Sequence, residues 1–148
     1  MELAQGEVAS IAHSIQLSVA PVFLLSGIGV FLGVLTNRLG RVVDRARAFE
    51  EKFAAASGED AEVLRRRLRV LAKRARLING SITLATISAL LVAIVVALLF
   101  ASAFVRFSLA LPVAVLFVAS MFALVGALVA FLREVRIATL TVRIGPAG

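Results

Sequence analysis

Polarity along this chain changes in long blocks. Three apolar blocks stand out, at residues 17–36, 77–105 and 109–132. The first holds no charged residue over about 20 positions, enough for a helix to cross ~30 Å of hydrocarbon at ~1.5 Å per residue. The second is built around ISALLVAIVVALLFASAF. Little more than RFS separates the second block from the third, so these two are expected to form a tight antiparallel pair. The pattern predicts an all-α membrane protein with three transmembrane helices.

Between the first two blocks the pattern changes but keeps helical periodicity. Leu39, Val42, Ala46, Phe49 and Phe53 are spaced 3-4-3-4. Leu64, Leu68, Leu71, Ala75, Ile78 and Ile82 are spaced 4-3-4-3-4. Such spacing makes a narrow seam of the kind that zips helices together. AASGED interrupts it. Gly58 suits the left-handed end of one helix and Ser57 the cap of the next, with Glu59, Asp60 and Glu62 in the first turn where negative charge complements the dipole. Span one is therefore expected to continue as a helix to about Ala56, and span two to begin near Glu59. Helices one and two are predicted to extend into a cytoplasmic antiparallel helical hairpin over 37–76. About 18 residues at ~1.5 Å each make a stalk of roughly 27 Å. Gly40 is its weak point.

Charge orients the pattern. Of 16 Lys and Arg residues, twelve lie in the segment 37–76, three lie after the third block, and Arg106 alone lies between blocks two and three. The positive-inside rule puts 37–76 and the tail 133–148 in the cytoplasm, and the segment 1–16 outside. The same rule accounts for the net charge of +7 without nucleic acid as a partner. The opening MELAQGEVAS lacks the basic start of a secretory signal, so the first apolar block is expected to be retained.

Composition narrows the chemistry. The chain has no Cys and a single His, His13. No thiolate site, His-rich metal centre or His-based relay is provisioned, and no cofactor or enzyme activity is expected. Blocks one and two contain no ionisable residue, unlike the spans of proton-coupled carriers.

IQLSVAPVFLLSGIGVFLGVLTNRLGRVVDRAR, then LRRRLRVLAKRARLINGSITLATISALLVAIVVALLF, then FLREVRIATLTVRIG together resemble a bacterial family of small inner-membrane proteins, the domain of unknown function 2721 family. The resemblance runs from roughly Ile15 to Gly145. It implies a bacterial inner membrane and three membrane helices. It implies no activity, cofactor or catalytic residue.

Two polar sets in the spans are candidate sites. On span one, Ser26, Gly29 and Gly33 lead to Asn37, and Gly29 with Gly33 forms a G-x-x-x-G. Glycines at this spacing admit a close helix, either within the chain or in a second copy. On span two, Asn79, Thr83 and Thr86 share a face, with Ser81 and Ser88 roughly opposite. That set can serve helix–helix hydrogen bonding or line a permeation path. Phe23 and Phe31 are candidates for a hydrophobic gate, or for ordinary lipid contact. On span three, Ala119, Ala123, Ala127 and Ala130 form a packing side, and Glu134 is expected to pair with Arg41, Arg76 or Arg136.

Three helices scarcely enclose a water path, so conduction requires a homo-oligomer. The leading expectation is a small homo-oligomeric channel or pore lined by helix one and polar residues of helix two. Arg38, Arg41, Arg45, Arg74 and Arg76 then form a basic mouth that favours anions, or contact anionic lipid. The alternative is a non-conducting membrane-anchored module whose basic hairpin binds a protein partner or anionic lipid.

Overall fold

The computed structural model describes residues 2–102 and 109–142. They form three helices: α1 (Glu2–Ala55), α2 (Glu59–Ala101) and α3 (Ala110–Val142). Each contains a stretch long and apolar enough to cross a membrane. Arg106, Arg143, the expected turn around RFS and the last residues expected for span two lie outside the described residues.

The break between α1 and α2 falls within AASGED. The end of α1 is tightened by a hydrogen bond from the Ala56 N–H to the Phe53 carbonyl, 3.2 Å. Gly58 has φ +64°, the left-handed conformation that glycine adopts at little cost. Because α2 begins at Glu59, Gly58 occupies the cap position. Ser57 stands one residue too early for the capping role expected of it. Glu59, Asp60 and Glu62 lie in the first turn.

The helices reach further than the apolar blocks. α1 is already helical at Glu2, and α3 continues through the tail to Val142. Pro21 sits inside α1 and is buried. It removes one intrahelical donor, which membrane helices accommodate.

Internal contacts divide the chain into two compact units. One comprises Met1–Leu32 and Leu84–Val125. Its buried residues are Ser18, Pro21 and Ile28 of α1, Ala85, Ser88, Val92 and Val95 of α2, and Ser120 of α3. The other comprises Gly33–Thr83 and Gly126–Gly148. It buries Leu35 and Val42, then Leu71, Ile78 and Ser81, then Ala127 and Glu134. In this second unit Arg65 lies over the ring of Phe53 (5.8 Å) and Arg67 over that of Phe49 (5.7 Å).

Burial along each helix repeats every seven residues. The series are Pro21, Ile28, Leu35, Val42; Leu71, Ile78, Ala85, Val92; and Ser120, Ala127, Glu134. A period of seven keeps a narrow seam turned toward neighbouring helices. Large apolar side chains stay open on other faces: Phe23, Val30, Leu111 and Phe122 are 72–75% exposed. Faces this apolar are disfavoured in water and suited to lipid or a further helix.

Gly40 and Gly58 separate helix propensity from backbone sign. A Cβ would meet nothing within 4 Å at either position, and only Gly58 has positive φ. Gly40→Ala is expected to raise stability by about 0.5–1 kcal/mol. Gly58→Ala is expected to lower it by about 1–2 kcal/mol. Thermal unfolding in detergent checks both, and shifts of the same sign would contradict the assignment.

Candidate functional site

Glu134 is the most constrained polar group among the described residues. Its side chain is 0% exposed although it ends the seven-residue series of α3. Arg74 of α2 donates to its Oε1 through Nε (3.0 Å) and Nη2 (2.8 Å). Arg38 of α1 places Nη2 3.0 Å from Oε2. That approach is outside hydrogen-bond alignment, so Oε2 is held by charge alone. Arg38 also lies over the ring of Phe131, 5.2 Å from its centroid, which orients the guanidinium. One carboxylate thus ties three helical segments together.

The partners differ from those expected for Glu134. The sequence points to Arg41, Arg76 or Arg136, whereas Arg38 and Arg74 hold the carboxylate. The reason is register. Counting in sevens and alternating threes and fours, Arg74 lies on the line through Leu71, Ile78 and Ser81. Arg76 is two residues off that line and exposed.

Serines link α2 to α3 in each unit. The Ser81 hydroxyl donates to the Ala127 carbonyl at 2.9 Å. The Ser88 hydroxyl donates to the Ser120 carbonyl at 2.8 Å, and Ser120 donates back to its own helix at Phe117, 2.6 Å. Both α2 serines are fully buried. Ser81 and Ser88 therefore bond to α3 from the face of α2 opposite Asn79 and Thr83.

The polar sets singled out in the sequence lie largely on open faces. Ser26, Gly29, Gly33 and Asn37 are all exposed along α1. A Cβ added at Gly29 or Gly33 would meet nothing within 4 Å, so neither glycine is closed over by this chain's other helices. Ser26 donates to the Val22 carbonyl (3.2 Å) and Thr36 to the Gly33 carbonyl (3.0 Å). On α2, Asn79, Thr83 and Thr86 are exposed, and Thr83 donates to the Asn79 carbonyl at 3.0 Å. Phe23 is exposed and Phe31 half-buried. The expected packing side of α3 is rotated. Ala127 is buried and Ala119 exposed, and Ser120 takes the inward position.

Four of the five arginines of the expected basic mouth share one cleft of about 250 Å³. It is lined by Arg38, Arg41, Arg45 and Arg74, with Val42. Arg76 does not line it. Arg41 and Arg45 have no ion pair among the described residues.

Burial decides the weight of these ion pairs. Glu62–Arg66 is largely exposed, and an exposed i,i+4 pair contributes about 0.3–0.5 kcal/mol. Breaking a buried pair on one side costs about 3–5 kcal/mol, because a buried charge is left unmatched. Glu134→Ala or Arg74→Ala is expected to destabilise by that amount. Arg74→Met combined with Glu134→Leu is expected to cost less than either single change, since Arg38 is partly exposed and can turn to solvent. Equilibrium unfolding in detergent checks this. Simple additivity would show that the pair is not coupled.

No curated protein and no solved structure matches the chain. Residues 18–144 match the family described as protein of unknown function (DUF2721), and with most of its length so matched the chain belongs to that family.

Proposed function

We propose that the protein is a homo-oligomer of the bacterial inner membrane, assembled through one face of α1, and that the assembly forms an ion path. The observation that carries this reading is the open stripe of Ser26, Gly29, Gly33 and Asn37, with free space over both glycines. In lipid, apolar side chains gain little by leaving the acyl chains for another helix. Association then rests on close backbone approach and polar contacts, which a small-residue stripe supplies. Asn37 and Asn79 add exposed amides, which are costly against hydrocarbon and are satisfied by a second helix or by water.

In this reading α1 lines the axis, and α2 adds Asn79, Thr83 and Thr86. Phe23 and Phe31 are the candidate hydrophobic constriction. The stretches around Phe49–Arg67 and Phe53–Arg65 belong to a cytoplasmic hairpin, oriented by the excess of Lys and Arg there. Two of the mouth arginines, Arg38 and Arg74, are committed to Glu134. The charge left to attract anions is that of Arg41, Arg45 and Arg76. The second reading is a non-conducting anchored module that binds anionic lipid or a protein partner through its basic hairpin. The arginine-lined cleft favours it.

The test is ion flux in liposomes, with chloride and potassium measured separately, together with the oligomeric state by native mass spectrometry. Gly29 is exposed and a Cβ there meets nothing within 4 Å, so Gly29→Leu is expected to keep the fold while splitting the oligomer and lowering flux at least tenfold. Asn79→Leu is expected to alter flux while leaving the oligomer assembled. A folded monomeric wild type would overturn the assembly. A folded oligomer without flux would overturn the ion path and leave the anchored module.

A further inference from the structure

We infer that the cleft between α1 and α2 lined by Arg38, Arg41, Arg45 and Arg74 is a binding site for a phosphate group. Spacing of three and four residues puts Arg38, Arg41 and Arg45 on one side of α1. Arg74 comes from α2, and Val42 supplies the apolar part of the lining. Of the four arginines lining the cleft, Arg38 and Arg74 contact a carboxylate, that of Glu134, so the group carries a net charge of +3. Asp44 neither lines the cleft nor forms an ion pair among the described residues.

The geometry favours phosphate over other anions. Each guanidinium has five N–H donors, and Glu134 accepts only two hydrogen bonds from Arg74. Arg38 is steadied by Phe131 and Arg74 by Glu134, so two of the four are held in place before any ligand arrives. Donors from two helices surround a tetrahedral oxyanion better than a planar carboxylate. Guanidinium also matches phosphate oxygens bidentately. The volume of about 250 Å³ is below the ~300–1,000 Å³ of ordinary small-molecule pockets, which suits one phosphate with a short part of its ester. The phosphate can come from a lipid headgroup or from solution. The site lies within one chain and does not rest on oligomerisation or conduction.

Purified full-length protein in zwitterionic nanodiscs would be titrated with short-chain phosphatidic acid and, separately, with inorganic phosphate. Binding of at least one probe is expected. Arg41→Gln with Arg45→Gln is expected to weaken it by about tenfold or more, corresponding to ~1.4 kcal/mol. Arg66→Gln with Arg69→Gln removes the same charge outside the cleft and is expected to change binding less than about twofold. Lipid binding without phosphate binding assigns the headgroup as the source, and comparable binding of both assigns a soluble anion. Absence of binding by either probe, or equal losses in the two double variants, would overturn the site. Neither result bears on the oligomer, which is read separately from its mass.

Discussion

The second unit depends on a carboxylate without water. Glu134 has no solvent exposure, so its charge must be met from within the protein. Only a geometry that brings Arg74 and Arg38 to it from two other helices can do so. Such a pair adds little net stability, because desolvation offsets the attraction. What it adds is selectivity. A slip of α2 or α3 by one residue would turn Arg74 or Glu134 away and leave a buried charge unmatched. Apolar seams alone slide more easily, since Leu, Ile and Val exchange places at small cost.

The serine bonds impose the same requirement more weakly. Ser81 and Ser88 each reach a carbonyl of α3, one in each unit. A small hydroxylic side chain lets the backbones approach and then uses that proximity for a hydrogen bond. This explains why Ser81, Ser88, Ser120 and Ala127 take inward positions where α2 meets α3, while Phe122 and Leu111 face outward. A water-soluble bundle would be arranged the other way round.

Basic residues that look equivalent in sequence have different roles. Arg38 and Arg74 hold Glu134. Arg65 and Arg67 cover the rings of Phe53 and Phe49. Arg66 pairs with Glu62 at the surface. Arg41 and Arg45 line a cleft and carry no ion pair among the described residues. Charge repeated along a helix serves topology as a sum, but each residue's chemistry depends on which side of the helix it occupies.

Helix type, the number of long apolar helices and the break at Gly58 were all legible in the sequence. They rest on local physics: apolar runs of membrane length, seams at helical spacing, and a glycine at the break between two helices. The seam positions Val42, Leu71 and Ile78 were legible for the same reason, and all three are buried. The partners of Glu134 were not legible. Arg38, Arg41, Arg74 and Arg76 are alike by residue type, and choosing among them needs the rotation of α1 and α2 against α3. The inward roles of Ser81, Ser88 and Ser120 were hidden too, because serine and alanine suit a lipid face and a helix contact equally. A signal was present in the seven-residue spacing of Ser120, Ala127 and Glu134. Local sequence determines which faces a helix has, and only the packing of several helices decides which of those faces turns inward.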